Sequence, residues 1–293
     1  MSKSAGLVPC FYFVCATLFV GSSQVIALEP TIEEDSRNRI NLASRQAALI
    51  QEMTRDVCFV MAGIEPERFS EKALSAVRQF EVTLQALQVG DGNLRLLPQS
   101  NQSVVAQILA GQEIWNDLRP AVQQVASNDL HSVPMRQLLN LHLEVQDELF
   151  RSVDLIIQNT PDAALAPDMA RTLARAGQQR VWSQKASKAV CFLSLGIDPV
   201  RNRQSLADSL TAFEAGMVSL FDGDPGQMIL APPNSRLKRQ LQRVERVWTD
   251  LAVLMRAAKD NPNLDAGQRV KLANLSDHVL LEMTLAVTMY SQL

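Results

Sequence analysis

A long internal repeat constrains this chain more than any single motif. Val57-Cys58-Phe59 and Gly63-Ile64-Glu65-Pro66 return as Val190-Cys191-Phe192 and Gly196-Ile197-Asp198-Pro199, 133 residues later. The same offset, with no gap, carries Arg68 onto Arg201, Phe80-Glu81 onto Phe213-Glu214, Gly90-Asp91 onto Gly223-Asp224, and Trp115 onto Trp248. A gapless register joining Cys, Gly, Pro and Trp pairs requires duplication, because chance supplies only scattered Ala and Leu matches. The fold must therefore be one that a unit of this length builds twice.

Each unit reads as four helices. In the first copy, Thr31-Ile32-Glu33-Glu34 has the form of a capping box, in which hydroxyl and carboxylate each satisfy an end donor of the other. Helix one should run to about Ala62, stop at Gly63, and give way to a second helix entered through Pro66, whose missing N–H costs nothing in a first turn. That helix should end near Val89, broken by residues 90–93, with residues 94–98 tucking back as an apolar connector. Val105, Ile108, Leu109 and Trp115 mark helix three to about Ala126; Leu138, Leu141, Val145 and Leu149 mark helix four from near Val133. The second copy repeats the plan, its last helix introduced by Asp265 and Gln268 as another box. The expectation is an all-α protein of two tandem four-helix bundles with two cores: residues 28–158, a linker at 159–167, and residues 168–293.

Composition agrees and excludes some functions. At 47% hydrophobic, 20% charged and 5% aromatic residues, the chain suits a helical fold better than a β-sandwich. A net charge of −3 argues against a nucleic-acid surface, which needs clustered Lys and Arg. Lys3, the apolar residues 7–20 and the small-residue site ending at Ala27 read as a cleaved signal peptide, so the product is expected outside the cytoplasm, in the periplasm of a Gram-negative host. Cys10 and Cys15 leave with it. Cys58 and Cys191 remain, each inside an apolar run, which favours two buried small hydrophobes; an oxidising compartment leaves a disulfide open.

The most distinctive polar string lies in helix one of the second copy: Ala176-Gly177-Gln178-Gln179-Arg180-Val181-Trp182-Ser183-Gln184-Lys185. Gly177, Arg180, Ser183 and Gln184 recur at steps of three and four and share one face. Gly177 would admit a close partner helix. The Arg180 guanidinium, with hydroxyl and amide groups a turn away, suits a small planar anion. The plainer reading is a solvated face with Arg180 lying along the surface. His131, His142 and His278 are not spaced as metal ligands, and Glu144, Asp147 and Glu148 read as a solvated helix face. The paired tryptophans read as core. No nucleophile elbow, phosphate loop or dinucleotide fingerprint is present, so no catalytic residue, metal or cofactor is expected, and the chain is not read as an enzyme.

This string resembles the A-G-x-x-R-x-x-S-Q-[RK] signature of the PilJ-type domain, the N-terminal sensory region of type IV pili chemotaxis transducers. The nitrate-sensing histidine kinases of the NarX and NarQ kind carry a related helix. The family signature opens I-N-x-A, and the first copy supplies Ile40-Asn41-Leu42-Ala43. In the nitrate sensors the helix-one Arg holds the anion between protomers, a role the resemblance passes to Arg180. The first copy departs from the pattern: Ser44 replaces the Gly, Ala47 the Arg, Ile50 the Ser, and Glu52 the Lys. Arg45 lies two positions early, about 200° round the helix from Ala47. The second copy has Ala174 where the family has Asn. The resemblance thus puts ligand binding in the second copy and a structural or dimerising role in the first.

Two functions follow as expectations. The first is an exported sensory protein that binds a small anion such as nitrate or nitrite and signals by contact with a membrane-bound partner, because no methylation or kinase segment follows the bundle. The tandem pair would mimic a dimer, and a homodimer of the chain is equally open. The alternative is a periplasmic scaffold or adaptor with no small ligand.

Overall fold

The computed structural model describes residues 29–127, 135–161 and 163–293. The expected signal peptide at 1–27, Cys10, Cys15, His131 and the start of the fourth helix near Val133 lie outside the described residues. Among the described residues there are eight α-helices and no strand: α1 (Ile32–Met61), α2 (Pro66–Val89), α3 (Gln102–Ala126), α4 (Met135–Gln158), α5 (Pro167–Ser194), α6 (Pro199–Asp222), α7 (Ser235–Asp260) and α8 (Ala266–Ser291). No described helix is long and apolar enough to cross a membrane.

The repeat extends to the backbone. Gly63 and Gly196 take φ of +66° and +67° and end α1 and α5 identically. In each copy the N–H of the following Ile reaches back five residues, to Phe59 O and Phe192 O, and satisfies a helix-end carbonyl. Glu65 and Asp198 then enter α2 and α6 from the left-handed region, and Pro66 and Pro199 occupy the first helical position. Asp91 pairs with Leu96 and Asp224 with Ile229 in matching two-residue bridges, so both connectors fold back in the same way. Asn101 and Asn234 cap α3 and α7 through their side-chain oxygens.

Two details differ from the sequence expectation. Thr31 Oγ1 accepts from Glu34 N, but the Glu34 carboxylate does not return the bond; it takes Arg95 Nε and Nη2 at 2.7 and 2.6 Å. The stronger, charge-assisted partner on the connector outcompetes the cap. Asp265 and Gln268 do form the full box at α8. In α3 the core face uses Val104, Ile108 and Trp115, while Leu109 is exposed. Phe80 against Trp115 and Phe213 against Trp248 form equivalent ring pairs in the two copies.

Instead of two separate cores there is one continuous apolar core. Its centre is the contact between α1 and α5, each of which also supports the other helices of its own copy. Equivalent residues meet along this contact: Ser44 faces Gly177, and Cys58 is joined to Cys191 by a disulfide, its Cα atoms 6.2 Å apart. Equivalent pairs meeting at both ends require α1 and α5 to run parallel and in register about a local two-fold axis. The seam residues Ser44, Gln51 and Cys58, with Gly177, Gln184 and Cys191, recur every seven positions, the spacing of a parallel coiled-coil stripe. The cysteines are therefore not two isolated small hydrophobes: they sit on the axis, where symmetry holds their Cα atoms within bonding range.

Candidate functional site: the seam between α1 and α5

Gly177 has no room for a side chain: a Cβ there would stand 2.5 Å from Ser44 Cβ and 3.5 Å from Arg180 Nη2. The close approach that follows carries Arg180 from α5 into the groove between α1 and α2. Arg180 is 2% exposed, so the solvated-face reading of its position does not hold. Its Nη2 donates to Asn41 O and Asn41 Oδ1, both at 3.0 Å, while its Nε has no hydrogen-bond partner. No carboxylate pairs with it in an ion bridge among the described residues.

Asn41 and Arg180 come from opposite copies. At the equivalent place across the axis stand Ala174 and Ala47, so both members of the pair are missing there. The pairing of amide and guanidinium survives on one side of the seam only, built jointly by α1 of the first copy and α5 of the second.

Arg180 lines a cavity of about 490 Å³. Arg45 and Arg78 line it too, with Asn41, Ser75, Gln79, Thr83, Thr284 and Thr288 as neutral polar groups and Leu42, Leu49, Val82 and Leu94 as apolar ones. None of these lining residues is acidic. Arg45 makes an ion pair with Glu52 at 2.9 Å but keeps a buried Nη1 without a hydrogen-bond partner. Burial pushes Arg180 down to about 9, and Arg45 adds repulsion that Glu52 partly offsets. The guanidinium remains charged at neutral pH. An anion in the cavity would supply both the missing acceptor and the missing counter-charge.

Of the four residues singled out on the α5 face, only Arg180 lines this cavity. Gly177 permits the helix approach. Ser183 and Gln184 are fully buried and engaged elsewhere: Ser183 Oγ donates to Arg180 O, and Gln184 Nε2 donates to Ser183 Oγ and Ser276 O. Gln184 Oε1 accepts from Arg55 Nη1. The hydroxyl and amide thus form a polar ladder along the seam and do not converge on the guanidinium. Arg45, Arg78 and Asn41 were missed as site residues because the signature was read one copy at a time. The I-N-x-A half in the first copy was the available signal for Asn41. The angle separating Arg45 from Ala47 on α1 carries no weight, since Arg180 arrives from another helix.

One turn further along the seam, two buried cations occupy equivalent positions. Arg55 bonds Asp56, Asp277 and Gln184, and Asp277 is also held by Arg68 and Lys72. Lys188 donates to Gln51 Oε1 and meets His142 Nε2 at 2.8 Å, with no carboxylate in its set. His142, with Nδ1 at 3.0 Å from Leu138 O, is a structural residue of this cluster. His278 is exposed beside Glu282. Glu144 and Asp147 lie on an exposed face, as expected, whereas Glu148 beside them is half-buried and accepts from Gln107 Nε2; the described residues hold no cluster of three or more His, Cys, Asp or Glu arranged for a metal.

A search of curated proteins finds no match to the chain. Residues 166–271 match the family model of the type IV pili methyl-accepting chemotaxis transducer N-terminal region, PilJ, so the stretch spanning α5, α6, α7 and the start of α8 is similar to a PilJ-type sensory domain.

Proposed function

We propose that this chain is an exported, non-enzymatic sensory protein that binds a small anion at Arg180 and passes the signal to a membrane-bound partner by contact. The observation that carries the reading is a buried guanidinium without a carboxylate, opening on a cavity with two further arginines and no acid. Similarity of residues 166–271 to the sensory region of a chemotaxis transducer supports a signalling role. The first copy, lacking its own Arg at position 47, is read as a second, degenerate PilJ-like unit that replaces the partner protomer of a dimer. Loss of residues 1–27 and residence in the periplasm belong to the same reading.

A thermal-shift screen of the chain from residue 28 onward tests it, because a ligand that binds only the folded state must raise the midpoint. Nitrate, nitrite, sulfate and small carboxylates form the panel, with Arg180→Ala in parallel. A rise with at least one anion, lost in the variant, is expected. No rise with any of them would replace this reading with that of an envelope scaffold.

A further inference from the structure

The cavity at Arg180 is large for a bare oxyanion. A water occupies ~30 Å³ in the liquid, and a four-atom anion is on the order of twice that. Such an ion, seated on Arg180, would leave most of the roughly 490 Å³ to solvent. The volume falls instead among sites for small organic molecules, about 300–1,000 Å³. The lining is also divided. Arg180, Arg45 and Arg78 supply positive charge, whereas Leu42, Leu49 and Leu94 offer apolar surface that an inorganic anion has no use for.

The local symmetry supplies an internal comparison. Across the axis, Trp182 stands where Leu49 stands here, with the Phe150 ring 6.3 Å from it, centre to centre. Gln227 replaces Leu94 and is engaged with Arg175. The mirror groove thus carries a large aromatic ring at the position where this one has a smaller Leu, and it lacks the Asn–Arg pair as well. The apolar space and the anion-directed arginine occur together on one side and are absent together on the other.

We infer that the ligand of this cavity is an organic carboxylate with an apolar body, bound once per chain, its carboxylate on Arg180 and its body against Leu49 and Leu94. The inference rests on the anion-sensing reading above and narrows its ligand class. No acid lines the cavity, so the ligand carries no ammonium group that would need a counter-charge.

Isothermal titration of the chain from residue 28 onward with benzoate, hexanoate, nitrate and neutral benzamide tests this. Benzoate or hexanoate is expected to bind one to one, at least tenfold tighter than nitrate, and benzamide not at all. Val82→Trp, at a rim position that is 57% exposed and so tolerant of change, should weaken the carboxylate at least tenfold and leave nitrate as it was. Arg180→Met should abolish both; carboxylate binding that survives it would place the ligand elsewhere and overturn the inference. Nitrate binding as tightly as either carboxylate, or a Val82→Trp protein with unchanged carboxylate affinity, would overturn the organic ligand while leaving an anion sensor. Silence from all the anions would remove both readings.

Discussion

Arg55 and Lys188 stand at equivalent positions on α1 and α5, and each reaches across the seam to the glutamine of the other copy, Arg55 to Gln184 and Lys188 to Gln51. Their remaining partners differ: the arginine has Asp56 and Asp277, the lysine only neutral groups. Removing them should therefore have unequal consequences. Burial lifts Asp56 to about 7 and the Arg55 cation opposes the lift, so the charged carboxylate depends on Arg55. Arg55→Met then strands a buried carboxylate and is expected to cost about 3–5 kcal/mol. Lys188→Met leaves Gln51 and His142 short of a donor but removes an uncompensated buried cation, so about 1–2 kcal/mol is expected. Urea unfolding of the two variants at pH 8 checks the order; equal losses would show that Asp56 does not depend on Arg55.

The disulfide closes a loop of more than a hundred residues, and cross-links of that span stabilise by about 3–5 kcal/mol. Cys58→Ser, Cys191→Ser and the double variant should each lose the same amount, because one bond is broken in all three. Guanidinium unfolding measures the losses, and electrophoresis without reductant shows the bond. A double-variant loss near the sum of the single ones would mean that the cysteines contribute independently, by packing alone.

Much of the helix plan was legible because its punctuation is chemical: Gly63 and Pro66, Gly196 and Pro199, Asp265 and Gln268 each end or begin a helix for a local reason. The seam was not. From Ile40 and Leu173 onward α1 and α5 are buried on nearly every side, so neither shows the apolar stripe of a surface helix, and polar residues there read as solvated. Gln184, Gln51, Arg55 and Lys188 are polar but interior, with Arg55 bonded to Gln184 and Lys188 to Gln51 across an axis that only the packed pair of helices creates, and Arg180 reaches Asn41 across the same axis. The cavity was hidden for the same reason, since its amide–guanidinium pair, Asn41 and Arg180, is separated by 139 residues in the chain.

The contact of Gly177 with Ser44 makes a size-exchange prediction. Gly177→Ala gains helix propensity, up to about 1 kcal/mol, yet its Cβ would lie 2.5 Å from Ser44 Cβ and 2.8 Å from its Oγ. Pushing the two helices apart should cost about 1–3 kcal/mol and dominate. Ser44→Gly added to Gly177→Ala removes the clash and should restore stability to within about 1 kcal/mol of the parent. Thermal melts of the three variants decide it; a Gly177→Ala protein as stable as the parent would show that the seam yields.

Two buried groups oppose each other in the acid dependence of stability. His142 faces Lys188, with Arg201 and Lys185 nearby, and burial first and the Lys188 cation second hold it well below its ordinary 6.5. Below pH 6.5 the unfolded chain takes a proton that folded His142 refuses, so this residue makes stability fall as pH falls, by up to about 1.4 kcal/mol per unit. Asp56 faces Arg55, Glu52 and Lys72, and its shift is the reverse, from 3.8 up to about 7. Between those values the folded state keeps a proton that the unfolded state has lost, so Asp56 makes stability rise as pH falls. Below pH 6.5 the two contributions oppose each other in the parent. His142→Gln leaves Asp56 unopposed and should grow more stable, relative to the parent, from pH 6.5 towards 4; Asp56→Asn should lose stability over the same range. Urea unfolding at half-unit steps measures both differences. Parallel profiles for parent and His142→Gln would mean that the imidazole titrates in the folded protein as it does in the unfolded one.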